Sequence, residues 1–233
     1  MKEGGFPEYV RYNDSEFVKR IYEDVMYKDL LARFKIKETK SFRELANFLF
    51  SNFTEETSYR NLKNTLRFKS ISSVKNYIGF MQESYLIFEL FKYDYSLKKQ
   101  YISNKKIYVI DNGIRNVVAF AFSQDQGKLL ENLIFLELKR RGQDIYFYKG
   151  KNECDFIIRK RSKIEEAIQV TERIVPGNKK REINGLIEVL EKFRLKKGLI
   201  ITKDQEEERK IKAKSIKIIP AWKWLLNKYK LTI

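Results

Sequence analysis

Residues 127–172 constrain this chain most, because there the apolar pattern changes from helical to strand periodicity while acidic and amide side chains recur at matching places. A helical run over residues 126–141 sets Glu131 on the same face as Phe135 and Leu138 and ends at Gly142, a residue type that closes helices readily. Strand-like runs follow at residues 145–149, 155–159 and 165–171. Asp155 stands just ahead of Phe156-Ile157-Ile158, and on the next strand Gln169 and Thr171 share a face because side chains alternate. A carboxylate on a packed face needs a cation or a donor, since an unpaired buried charge costs roughly several kcal/mol. A helix and two strands can thus direct polar groups at one cation. Hard oxygen donors suit Mg²⁺ or Mn²⁺, which makes Glu131, Asp155 and Gln169 the candidate metal ligands.

The remainder of the second half keeps alternating. Ile183, Leu186, Ile187, Leu190 and Phe193 form a helical stripe, strands are predicted over 199–202 and 215–219, and Pro220 introduces a terminal helix with Trp222, Trp224 and Leu225. Residues 111–233 therefore read as an α/β domain with a mixed sheet.

The first half has a different grammar. A turn at Gly4-Gly5-Phe6-Pro7-Glu8 precedes an amphipathic helix bearing Phe17, Ile21 and Val25, within a connector over residues 1–37. In residues 38–110, Thr39-Lys40-Ser41 can cap a helix with Phe42, Leu45, Phe48 and Leu49, and a short helix fits residues 57–66. A third helix starts near Ser70-Ile71-Ser72-Ser73, and β-rich runs at 87–95 and 106–110 flank a basic loop over 96–105. Three helices and a two-stranded wing make the plan of a winged helix-turn-helix, with a helical bundle bearing a solvated basic face as the plainer alternative. Its third helix offers Ser72, Ser73, Lys75 and Asn76 to a DNA groove, and Lys98, Lys99, Lys105 and Lys106 of the wing complete the candidate nucleic-acid contacts. Residues 59–106 hold ten Lys and Arg against three acids, and residues 191–233 hold thirteen against five.

Composition closes several routes. The formal charge of +17 favours polyanionic partners, DNA first among them. With no His and one Cys, neither a Cys/His zinc site, a Ser-His-Asp triad nor an internal disulfide can form. There is no Walker A phosphate cradle. Apolar runs such as residues 117–122 are too short to span a bilayer, and residues 1–7 lack a secretory apolar core, so a cytoplasmic protein without membrane partners is expected.

The order of Glu131, the Glu153-Cys154-Asp155 strand and the Gln169-Val170-Thr171 strand resembles the core of the PD-(D/E)xK nuclease superfamily. That resemblance makes Glu131, Asp155, Gln169 and Thr171 the counterparts of its catalytic residues. It also shows a degenerate last motif: Thr171 stands where a lysine would orient water, and Gln169 brings a carbonyl without charge. The whole chain further resembles the C-terminal portion of a prokaryotic AAA+ ATPase family of largely unknown function, in which an ATPase module leads through a winged helix into a PD-(D/E)xK-like domain. Its landmarks here are Gly4-Gly5-Phe6-Pro7-Glu8, Lys106-Ile107-Tyr108 through Asp111-Asn112-Gly113, Glu153-Cys154-Asp155-Phe156, and Ile219-Pro220-Ala221-Trp222-Lys223-Trp224-Leu225. The resemblance makes residues 1–37 the end of an ATPase module, residues 38–110 a winged helix and residues 111–233 the nuclease-like domain. It implies a fragment or a truncated product, with an ATPase module or further copies of the chain as partners.

Three functions compete on these grounds. The first is a DNA-binding module with a retired nuclease fold and no cofactor. The second is an active Mg²⁺- or Mn²⁺-dependent endonuclease in which Lys149 or Lys151 replaces the missing cation. The third is a protein-interaction scaffold that docks partners through residues 222–226.

Overall fold

The computed structural model describes residues 1–119, 126–211 and 213–226, and the chain divides into two compact units. Met1–Phe91 and Tyr101–Asp125 form one, Lys92–Gln100 and Gln126–Ile233 the other. Residues 120–122 of the apolar run, and Lys212, Lys228 and Lys230 of the C-terminal basic run, lie outside the described residues. Among the described residues no helix is long and apolar enough to cross a membrane.

The first unit opens with α1 (Pro7–Tyr12) and α2 (Ser15–Asp24), the latter capped by Asp14, whose carboxylate accepts from the N–H groups of Glu16 and Phe17. The chain widens to π geometry over Val25–Ala32. It continues through α3 (Thr39–Ser51), β1 (Glu56–Thr57), α4 (Tyr59–Thr65), α5 (Ile71–Glu83), β2 (Ile87–Phe91), α6 (Leu97–Ile102), whose residues 97–100 fall to the second unit, β3 (Lys105–Val109) and α7 (Asn112–Val118). The helical spacing read from the sequence holds where it matters. Phe42, Leu45 and Leu49 of α3 and Val74, Ile78 and Met81 of α5 are all buried. The three strands pair antiparallel in the order β1-β3-β2, with Glu56 opposite Lys106 and Ile87 opposite Val109.

Local chemistry moves several predicted boundaries. Thr39 is the first residue of α3 rather than its cap, and no side chain caps that helix. Thr57 joins a strand, and α4 starts two residues later because the Ser58 hydroxyl accepts from the Asn61 N–H at 3.1 Å. Within the predicted loop over 96–105, residues 97–102 coil into α6 while Lys105 enters β3. α7 packs with α2 and α3, so residues 111–118 belong with the first unit, whereas the sequence reading starts the second domain at residue 111.

The second unit is a mixed α/β fold. α8 (Gln126–Arg140) precedes a β4 (Asp144–Lys149), β5 (Glu153–Lys160), β6 (Lys163–Val170) antiparallel meander. Then α9 (Pro176–Lys192) crosses to β7 (Lys197–Thr202), which runs parallel to β6. Strands β8 (Glu207–Ile211) and β9 (Lys214–Pro220) and helix α10 (Ala221–Leu226) complete a six-stranded sheet ordered β4-β5-β6-β7-β9-β8. Its central strands are buried on both faces, which explains their near-continuous apolar runs, such as Phe156-Ile157-Ile158 and Leu199-Ile200-Ile201.

Candidate functional site

β5 and β6 run side by side with Phe156 opposite Ile168, and this register brings the Asp155 and Gln169 ends of the two strands together. Asp155 is 6% exposed, and its Oδ2 accepts from the Val170 N–H at 2.8 Å. The Gln169 amide works in both directions. Its Oε1 accepts from the Asp155 N–H at 3.4 Å, and its Nε2 donates to Glu182 Oε2 at 2.9 Å.

Glu182, on α9, is 2% exposed. It reaches the sheet because α9 lies unusually close to β5 at Gly185, where an added Cβ would stand 1.9 Å from the Glu153 carbonyl oxygen. The other Glu182 oxygen accepts two bonds from the Arg181 guanidinium, at 2.6 and 3.1 Å. Those bonds, then the charge of Glu182, raise the Arg181 pKa, with smaller contributions from Asp155 and Glu153. Asp155, Gln169, Glu182 and Arg181 thus form one cluster in which the glutamine is a neutral link between the Asp155 backbone and the buried Glu182 carboxylate.

That donor set does not fit a divalent cation as it stands, because the Gln169 carbonyl, one oxygen of Asp155 and both oxygens of Glu182 serve the protein's own hydrogen bonds. Among the described residues no group of three His, Cys, Asp or Glu side chains could hold a metal ion. Glu131 lies half-buried on α8. The Thr171 hydroxyl donates to the Arg173 carbonyl and accepts from Asn178 Nδ2, which makes it a brace for the loop entering α9. Of the two candidate substitute cations, Lys149 pairs with Glu153 at 3.5 Å, while Lys151 lies exposed in the β4–β5 turn.

The residues assigned to nucleic acid separate into three groups. Ser72, Lys75 and Asn76 are exposed on the first turns of α5, and Ser73 is half-buried, bonded to Ser70, the cap of that helix. Lys98 and Lys99 are exposed on α6, in the stretch that belongs to the second unit. Lys105 and Lys106 correct the sequence reading, because they are 4% and 3% exposed and present no cation to a phosphate. The Lys105 ammonium donates to the carbonyls of Tyr101 and Ser103 and lies over the Tyr59 and Phe91 rings. Burial lowers its pKa, outweighing the opposing pull of the Glu89 charge. Nearby, Glu89 accepts from Tyr59 and Gln82, and burial nonetheless raises its pKa. These groups hold the small sheet against α4 and α5.

Glu182 is the main site residue that sequence reasoning passes over. The available signal is positional, since it precedes Ile183 at the edge of the apolar stripe, three residues before Gly185. At the C-terminal landmark, Trp224 is buried against the Arg141 guanidinium while Trp222 and Leu226 are exposed.

With this geometry in place, the chain proves to be a mixed α/β protein that joins two family domains. Residues 1–125, more than half of its length, match the domain of unknown function DUF8612, and the chain belongs to that family. Residues 126–224 match the domain of unknown function DUF4143. An uncharacterized protein of Methanocaldococcus jannaschii is 36% identical over 246 residues, covering 97% of this chain and 54% of the relative. One from Haemophilus influenzae is 27% identical, covering 97% and 56%. The chain spans about half the length of the curated relatives it matches. No solved structure matches it.

Proposed function

We propose that this chain is a DNA-binding module in which a winged helix is followed by a PD-(D/E)xK-like unit that has given up cleavage. The observation that carries the reading is α5. It is the third helix in a helix-strand-helix-helix-strand-helix-strand series, in which the short α6 lies between the two wing strands and the sheet is ordered β1-β3-β2, and it holds Ser72, Lys75 and Asn76 exposed at its start. That arrangement suits a reading helix, with surrounding cations on phosphates. In the second unit, Asp155 and Gln169 on neighbouring strands, followed by a helical crossover, support the nuclease-like assignment. The use of Gln169 as a neutral cross-link favours binding over catalysis. By the resemblance of Gly4-Gly5-Phe6-Pro7-Glu8, an AAA+ ATPase module is the proposed partner, and further copies of the chain are its natural companions.

One observation favours the endonuclease reading: two buried carboxylates, Asp155 and Glu182, flank Gln169. Mg²⁺ or Mn²⁺ would be the cofactor under that reading alone.

Fluorescence polarisation with duplex, forked and single-stranded DNA across a salt series tests the proposal. Affinity should fall steeply as salt rises, because bound counterions are released, and Lys75→Glu should weaken binding about tenfold, which is about 1.4 kcal/mol. Absence of binding at low salt would overturn it in favour of a scaffold docking through Trp222 and Leu226. Incubation of the same DNA with Mg²⁺ or Mn²⁺ separates the enzyme reading. Cleavage that disappears in Asp155→Ala would establish a nuclease, and intact but shifted DNA supports the module.

A further inference from the structure

At the opposite end of β6 from Gln169 the sheet comes apart. β6 begins at Lys163, yet its pairing with β7 begins only at Ile168 opposite Leu199. Lys163, Ile164, Glu166 and Ala167 are paired on their β5 side alone, and Glu165 is the extra residue of a bulge because Ile158 faces Glu166 while Arg159 faces Ile164. The opening between β6 and the α9–β7 connection is a cavity of about 550 Å³, lined by residues 163–167 and 194–198. That volume lies within the range of about 300–1,000 Å³ typical of ligand sites.

The chemistry of the lining is specific. Ile164 and Ala167 are buried and supply an apolar floor. Lys163, Arg194, Lys196 and Lys197 are exposed around it. The acids in the lining, Glu165 and Glu166, are already engaged, both with Lys160 at 2.9 and 3.7 Å. The rim is therefore left with an excess of positive charge.

We propose that the wedge between β6 and β7 is a docking groove for an extended, acidic peptide that adds to the open edge of β6. A strand edge offers alternating N–H donors and C=O acceptors, which complement another peptide main chain. A DNA backbone offers acceptors alone and cannot satisfy such an edge. Five residues of edge extend about 17 Å, enough to register a segment of five to seven residues. The four rim cations select acidic side chains, and the floor accepts small apolar ones between them. This site is separate from the α5 surface and stands or falls independently of DNA binding.

The test uses the full chain and a fluorescein-labelled, end-blocked heptapeptide alternating Val and Glu. A twin with alternate amides N-methylated and a Val/Lys counterpart serve as comparisons. Saturable binding of the acidic peptide is expected, at least tenfold weaker for the N-methylated twin, with slowed hydrogen exchange at residues 163–167. Lys196→Glu/Lys197→Glu should lose at least tenfold for the acidic peptide and gain affinity for the Val/Lys peptide. Should that double variant melt early, Lys163→Glu carries the same expectation. Binding that is absent, indifferent to N-methylation, or protective of amides elsewhere would overturn the proposal. A short DNA oligonucleotide occupying the groove where the peptide does not would overturn it as well.

Discussion

The backbone N–H of Gly5 donates to Oδ2 of Asp111 at 2.6 Å, joining two points 106 residues apart in the chain. The second Asp111 oxygen accepts from the Ile114 N–H at 3.0 Å and so caps α7. Gly4 makes the approach possible. Its φ of +74° suits glycine, and a Cβ there would lie 2.1 Å from Asp111 Oδ1. Asn112 and Asn116 add side-chain bonds to the carbonyls of Met1 and Lys2. Two landmarks that the sequence separates widely are thus a single piece of structure.

Asp111→Ala should therefore cost about 3 kcal/mol, combining a lost helix cap with a charge-assisted bond. Asp111→Asn keeps an acceptor and should lose less than half of that. Urea unfolding monitored by circular dichroism measures both, and equal losses in the two variants would contradict the double role.

The contact of α9 with β5 gives a second test. Gly185→Ala has no room beside the Glu153 carbonyl and should destabilise by about 2–4 kcal/mol as the helix is pushed outward. Gly177→Ala, in the first turn of the same helix with open space around it, should be neutral or stabilising by about 0.5 kcal/mol. If Gly185→Ala melted like Gly177→Ala, the close packing that places Glu182 at Gln169 would be wrong.

The parts of this molecule that were legible in its sequence are those fixed by local chemistry. Ser70 announces α5, and the stripe from Ile183 to Leu190 announces α9, because capping and periodicity act within a few residues. β8 is not announced, since Glu207-Glu208-Arg209-Lys210 reads as solvated loop, and such charge on a sheet edge is compatible with a strand only once β9 lies beside it. Lys105 and Lys106 look like wing cations because the sequence does not show that rings and carbonyls would enclose Lys105. Asp155 and Gln169 are legible through strand parity, whereas Glu182 enters their cluster through tertiary packing at Gly185.

Gln169→Glu tests what the neutral link contributes. A third carboxylate beside Asp155 and Glu182 puts like charges into a buried site and removes the donor to Glu182. The variant should melt lower at pH 7 by several degrees and recover at pH 5, where one acid can take up a proton. Mg²⁺ or Mn²⁺ should also raise its melting temperature, while the parent chain should not respond. A metal-dependent shift in the parent would show that its present donors already suffice for a cation.

Glu188 supplies a stability signal with a defined pH window. It accepts from the N–H groups of Lys151 and Asn152, from Asn152 Nδ2 and from the Tyr148 hydroxyl, at 2.8–3.0 Å, closing the β4–β5 turn onto α9. Burial alone would raise its pKa, but these donors together hold it below the ordinary 4.5. Tyr148 is pushed up to about 12, by burial first and then by its bond to Glu188. A depressed carboxylate stabilises the fold when ionised, so its contribution is complete above the unfolded value and disappears as pH falls through the folded one. A raised tyrosine works in the opposite sense, contributing below its unfolded value of 10 and losing that contribution as pH climbs through about 12. The stability difference between the parent and Glu188→Gln should therefore stay level from pH 5.5 to 9 and shrink below pH 4.5 and again above pH 10. Chemical denaturation at intervals across that range measures it, and a difference that stays level into acid would show that the carboxylate charge does not hold the turn.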